Sequence, residues 1–307
     1  MNGRFSTWLR AGAAALALGA MAFSGSASAA TKQAGDVHII FITHGQANDV
    51  YWSVVKNGVE AGQKVMGAKV DYHAPETFDM VQMAHADALK KPIMDAKAAG
   101  IPVGVIDSGQ DQVHDWGLDL WVGGGSEYDN GVHAGEIMGK AGVKHTVCVN
   151  HEVGNVSLDD RCRGFKDGLA KNGGATSDVL PASMDPTDTA SRVEAYLSSH
   201  ADTDAILALG PSAATPIMQR LQQMGLLGKI KMGTFDLSPE VLEAIDKGDL
   251  MFGIDSQQYL MGYLPVVFFT MKAMYGTLPT ADVMTGPAFI MKGDAAKVLA
   301  LSKEGIR

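Results

Sequence analysis

Cysteine is scarce: Cys148 and Cys162 are the only two in 307 residues. Two thiols, and nine histidines with no H-x-x-x-H and no C-x-x-C, give none of the spacings that hold a resident metal. Phosphate-cradling motifs are missing as well. Gly123-Gly124-Gly125 fits neither G-x-G-x-x-G nor a P-loop and reads better as a flexible joint before a helix. There is no G-x-S-x-G and no serine–histidine–aspartate order, so nothing marks a nucleophile. No cofactor and no metal are expected. Basic charge is also short. Twenty-five Lys and Arg face 34 Asp and Glu, a net of −9, which argues against nucleic acid or an anionic membrane as partner.

Apolar runs are short. The longest, Ala11 to Phe23, follows Arg4 and Arg10 and precedes Ala27-Ser28-Ala29. A positive start, a brief apolar stretch and an A-x-A site make a cleavable secretory signal over residues 1–30. A spanning helix needs about 20 apolar residues, which this run does not supply. The first 30 residues hold two arginines and no acid, so the remaining ~277 residues carry 23 bases, 34 acids and a net charge of −11. That length suits one large domain or two lobes of about 130 residues. Export brings Cys148 and Cys162 into oxidising surroundings, where their 14-residue separation allows a disulfide. Two buried thiols remain the alternative.

Strand-like and helical patterns alternate. Val37 to Thr43, Lys69 to His73, Ile101 to Ile106, Thr146 to Val149, Ala205 to Leu209, Lys231 to Phe235 and Met251 to Ile254 read as strands. Val50, Val54, Gly58, Ala61 and Val65 recur at helical spacing and Gly67 stops them; Leu158, Cys162, Phe165 and Leu169 do the same. Leu260, Leu264, Val267, Met271 and Met274 mark a long helix containing Pro265. Such alternation predicts an α/β fold with parallel sheets and right-handed crossovers. Ligands in these sheets sit beyond the C-terminal strand ends, so those ends hold the candidates.

The first strand runs into Asn48-Asp49-Val50-Tyr51-Trp52. Two aromatics beside polar groups suit a sugar ring, with its C–H faces and hydroxyls; packing of the first helix turn is the alternative. The third strand ends in Asp107-Ser108 and the sixth in Asp236. These carboxylates can accept hydroxyl hydrogen bonds, although Asp236 could instead cap the next helix. Arg161 begins a helix and offers a planar fork to ring and hydroxyl oxygens, or else an exposed pair with Asp159 or Asp160.

Four stretches carry a family resemblance: SEYDNGVHAGE (126–136), CVNHEVGNVSLDDRCRGF (148–165), KMGTFDLSPEVLEAI (231–245) and IDSQQYLMGYLPV (254–266). The chain resembles the ribose-binding-protein-like periplasmic sugar-binding proteins of ABC importers over nearly all of its exported length. The resemblance implies two doubly wound parallel-sheet lobes on a three-segment hinge, closing on one sugar. Lobe 1 is expected at 31–125 plus 256–284 and lobe 2 at 126–255 plus 285–307, with crossings near Gly124–Ser126, Asp255–Ser256 and Thr285–Gly286. The implied ligand residues are Asp49, Tyr51, Trp52, Asp107, Ser108, Arg161, Asp236 and Gln257. Ser108 stands where ribose binders often have Arg, Ser256 takes the position of the family's hinge Gln, and Gly210-Pro211-Ser212 replaces an Asn-Asp pair. These departures point away from ribose, toward another monosaccharide or a sugar alcohol.

Between Lys69–His73 and Ile101–Ile106 the family has a helix, a strand and a second helix. Here only Thr77 to Ala99 intervenes. One strand–helix unit of about twenty residues is absent at a join near His85, and the lost strand would be central in lobe 1. The function implied is solute capture in the periplasm and delivery to an inner-membrane ABC permease, by a monomer and without catalysis. A sensor presenting sugar to a chemoreceptor or sensor kinase is the alternative. An exported hydrolase lacks a nucleophile motif. A transcription regulator of this fold would carry a helix-turn-helix where the signal peptide stands.

Overall fold

The computed structural model describes residues 32–46, 49–76 and 86–307. The expected signal peptide, the expected helix start at 79–84 and the expected join near His85 lie outside the described residues. Eleven strands and ten α-helices alternate along the described residues. In order they are β1 (His38–Ile42), α1 (Val50–Met66), β2 (Lys69–His73), α2 (Ala86–Ala98), β3 (Gly104–Ile106), α3 (Gln110–Trp116) and β4 (Leu120–Gly123). Then come α4 (Glu127–Lys140), β5 (His145–Asn150), α5 (Val156–Lys171), β6 (Thr176–Pro181), α6 (Pro186–Ser199), β7 (Ala205–Ala208), α7 (Pro211–Gln223) and β8 (Lys231–Phe235). Last are α8 (Pro239–Lys247), β9 (Phe252–Asp255), α9 (Gln258–Tyr275), β10 (Val283–Met284), β11 (Ala288–Met291) and α10 (Ala295–Lys303).

The largest sheet has the order β11-β9-β8-β7-β5-β6, all parallel except β11. Its inner strands β5, β7, β8 and β9 are buried on both faces, as central parallel strands are. Alternation sorts their side chains. Val147, Val149, Ile206 and Met232 pack under α6, α7, α8 and α10. Cys148, Leu207 and Phe235 point the other way, against α4 and α5. Strand order reverses between β5 and β7, because β6 follows β5 outward on one side while β7, β8 and β9 extend on the other. That reversal opens a crevice at the C-terminal ends of β5 and β7.

The remaining strands form two separate pieces. β1 pairs with β2, and β3-β4-β10 forms a three-stranded sheet. No ladder joins β1 to β3 among the described residues. Ile40 and Ile42 on β1 are 63% and 66% exposed while Phe41 between them is buried, so one face of this strand is uncovered. Helix α9 packs on β3 and β4 and also on α1, the helix that connects β1 to β2. The predicted strand at Ile101 to Ile106 is shorter than expected. Pro102 has no N–H to give a ladder, and the Val103 N–H is taken by the Asp119 carboxylate at 2.9 Å.

Helices pair by close approach. A Cβ at Gly164 on α5 would sit 2.0 Å from the Tyr128 carbonyl of α4, and one at Gly262 on α9 would sit 2.0 Å from the Val55 carbonyl of α1. Only glycine permits these backbones to touch. The chain passes between the two strand regions at three places: 124–126, 256–257 and 285–287. The crossings pack together. The Thr285 N–H donates to the Gly123 carbonyl at 2.8 Å, the Thr285 hydroxyl donates to the Ser256 carbonyl at 2.6 Å, and the Gln257 amide donates to the Thr285 carbonyl.

Cys148 and Cys162 form a disulfide, with Cα atoms 5.7 Å apart, tying β5 to α5. Two outcomes follow from this packing. Replacing both cysteines with alanine should lower stability by about 3 kcal/mol, from the loop-closure entropy of a short ring; thermal unfolding with and without reductant checks it. Gly164→Ala should cost about 1–3 kcal/mol by forcing α4 and α5 apart, read as a fall in the denaturation midpoint.

Candidate functional site

Among the described residues, three that are not glycine adopt the left-handed backbone: Asp107, Asp236 and Gln257, with φ of 63°, 56° and 56°. Each follows a strand: β3, β8 and β9. Such conformations cost of order 1 kcal/mol or more and persist where surrounding structure imposes them. At β3 and β8 they bring carboxylates to one cleft.

The cleft is lined by His44, Tyr51, Trp52, Asp107, His151, Glu152, Arg161, Leu209, Ser212 and Asp236, among others. It adjoins a chamber of ≈ 290 Å³ bordered by Gln46, Asp49, Val50, Met184 and Pro186. Asp49 caps α1, accepting from the backbone N–H groups of Tyr51 and Trp52 at 2.9 and 3.3 Å. Its other oxygen accepts from the Ser212 hydroxyl at 2.9 Å, joining the start of α1 to the start of α7. A second bond across the cleft runs from the Ser157 hydroxyl to Ser108, also at 2.9 Å. Trp52 does both things its sequence position allowed: it packs edge-on between His44 and Tyr51 and also lines the cleft. Tyr51 donates to Asp107 at 2.8 Å. Burial, with Asp107 and Asp236 nearby, pushes the Tyr51 phenol well above its ordinary range.

Arg161 is buried, not paired with Asp159 or Asp160 at the surface. Its Nε donates to Glu127 at 2.5 Å, and its Nη1 donates to the Leu209 carbonyl at 3.0 Å. Asp236 lies 3.7 Å away and the Phe235 ring lies 4.2 Å beneath the guanidinium. Burial works against this charge, but Glu127 and Asp236 outweigh it and raise the arginine's pKa. Asp236 does not cap α8; Ser238 does. Its carboxylate instead accepts from Ser256 and from Gln258 at 2.7 Å. Burial pushes Asp236 up to about 7. Gln257 is placed apart from the cleft lining, on the crossing, where it holds Thr285.

The loop after β5 adds residues that the sequence reading passed over. Asn150 accepts from the Glu152 N–H at 3.0 Å, and Asn155 donates to Glu152 at 2.7 Å while capping α5. Burial raises Glu152 to about 7 and lowers His151 to about 4. Glu127 was also missed, since its role depends on α4 meeting α5. The available signal was topological: Asn150 to Asn155 and Leu209 to Ser212 follow the two strands that flank the order reversal.

The model of the periplasmic binding protein domain matches residues 80–273, well over half of the chain. The chain belongs to this periplasmic binding protein family. Among similar proteins is the xylose/arabinose-binding protein XylF of Sulfolobus acidocaldarius, 24% identical over 300 residues, covering 86% of this chain and 73% of that protein. A carbohydrate transporter from Acidothermus cellulolyticus, solved with myo-inositol, superposes with a TM-score of 0.78 at 27% identity, covering 88% of this chain and 99% of that one. An ABC transporter solute-binding protein from Burkholderia graminis, solved with D-arabinose, gives 0.74 at 21% identity, covering 85% and 97%. The binding protein shares their α/β fold. Among its described residues no helix is long and apolar enough to cross a membrane.

Glu152 is one of the buried groups that make the stability of the unliganded binding protein depend on pH. Its folded pKa lies above the unfolded value, so the native state keeps a proton that the unfolded chain gives up between about pH 4.5 and 7. Glu152 therefore costs stability as pH rises through that window, up to about 3 kcal/mol. Glu152→Gln should melt increasingly above wild type from pH 5 to 8, measured by calorimetry.

Proposed function

We propose that this binding protein is the periplasmic solute-binding component of an ABC importer. It takes a monosaccharide or sugar alcohol between two lobes and presents the closed form to a membrane permease. The observation that carries this reading is the buried Arg161 in one cleft with Asp107 and Asp236 at two strand ends and with Trp52. A fixed cationic fork and carboxylate acceptors read hydroxyls, and the indole covers a C–H face. The relatives support the ligand class: the named partners of three of them are xylose or arabinose, myo-inositol and D-arabinose.

Lobe 1 is assigned to 31–125 plus 256–284 and lobe 2 to 126–255 plus 285–307. The three packed crossings support these bounds and make the joint about which the lobes close. Asp49 with Ser212, and Ser108 with Ser157, would be the latches of the closed state. A solute stabilises that state only through affinity it lacks for the open one. The interrupted ladder between β1 and β3 supports loss of one strand–helix unit near His85.

A thermal-shift panel of pentoses, hexoses and polyols should raise the melting point for at least one compound. Calorimetry on that compound should show Asp107→Ala, Arg161→Ala and Asp236→Ala each binding about 5- to 150-fold more weakly, the 1–3 kcal/mol of a charged hydrogen bond. Unchanged affinity in all three variants would remove the site assignment.

A further inference from the structure

The cleft holds one polar side chain that the ligand set above leaves idle. His151 is 7% exposed, and its Nδ1 has no hydrogen-bond partner among the described residues. Native proteins rarely bury an imidazole nitrogen without a partner. Its position is also unusual. It follows β5 directly, and its ring rests on Gly210, which follows β7; a Cβ at Gly210 would lie 3.3 Å from the imidazole Cε1. His151 therefore sits in the crevice made by the reversal of strand order, where this class of sheet binds its ligands.

The loop that carries it is fixed. Asn150 and Asn155 hold Glu152 from both sides, and Asn150 also donates to Asp159 at 2.8 Å. Glu152 Oε1 is 4.0 Å from His151 Nε2, too far for a hydrogen bond. The imidazole is thus positioned by its backbone and by Gly210, and it lines the cleft with one nitrogen unpartnered among the described residues.

We propose that His151 is a specificity-determining residue of the binding protein, its imidazole hydrogen-bonding one ring hydroxyl that the Asp107, Arg161 and Asp236 set does not read. Burial and the nearby Arg161 charge keep the ring neutral, so one nitrogen donates and the other accepts. A neutral reader matches an uncharged hydroxyl and adds no further charge to a cleft already holding several carboxylates. This inference rests on the polyol-binding reading and adds a particular residue and a particular hydroxyl to it.

The test uses the whole exported protein with myo-inositol, D-arabinose, D-xylose and singly deoxygenated analogues of the tightest of them. His151→Phe keeps a planar aromatic ring and removes the polar atoms; His151→Asn keeps a polar atom near Nδ1. The expected result is at least a tenfold loss of affinity in His151→Phe with an unliganded melting point equal to or above wild type. That loss should vanish for one deoxygenated analogue, and His151→Asn should restore part of the affinity for the full ligand. Wild-type-like affinity and selectivity in His151→Phe would overturn the proposal. So would a lowered melting point in both variants with an equal loss across every analogue, which marks a purely structural role. Wild type binding none of the panel would overturn the polyol reading itself, and this inference with it.

Discussion

A buried guanidinium organises this molecule. Taking an arginine out of water costs several kcal/mol unless its hydrogen bonds are replaced. Arg161 meets that demand with Glu127 from α4, the Leu209 carbonyl at the end of β7, Asp236 at the end of β8 and the face of Phe235. The partners come from three elements, α4, β7 and β8. The charge is satisfied only when α4, α5 and two strands are all in place, and so it registers the six-stranded sheet against the helices above it. The glycine contact between α4 and α5 and the Cys148–Cys162 link act on the same helix, fixing its height and direction.

The carboxylates beside it depend on backbone strain. Asp107 and Asp236 take left-handed conformations that a glycine would hold at less cost. In that geometry the side chain of Asp107 meets Tyr51, and that of Asp236 meets Ser256 and Gln258. The hydrogen bonds retain the strained residues, and the strained residues hold acceptor oxygens at the cleft. Asp236 also reaches the crossing through Ser256, so the cleft and the joint share one carboxylate.

Much of this was legible from residue patterns. Alternating apolar runs gave the parallel strands, since burial on both faces demands them, and strand ends pointed to Asp107 and Asp236. Gly67 ended α1 where its left-handed φ requires. Short edge strands were not legible. β6 carries Thr, Ser, Asp and Pro, and β10 has two residues, because an edge needs neither apolar faces nor length. Glu127 was silent because its partner lies 34 residues away in sequence. His151 and Glu152 were silent because no spacing rule marks a loop residue whose meaning comes from strand order. Gln257 shows the converse. Its position beside Ser256 suggested ligand contact, but a left-handed backbone turns it to Thr285.

The interruption between β1 and β3 changes how distances are set in the first region. A continuous sheet spaces its strands in fixed steps of about 4.8 Å. Here the β3–β4–β10 piece packs on helix α9 directly, while the β1–β2 piece reaches it through α1. Near the cleft the hydrogen bond from Tyr51 to Asp107 is what stitches them among the described residues. The separation between the α1 contacts and the Asp107 carboxylate is therefore governed by how α1 meets α9 at Gly58 and Gly262, where a strand ladder would have offered a rung of fixed length.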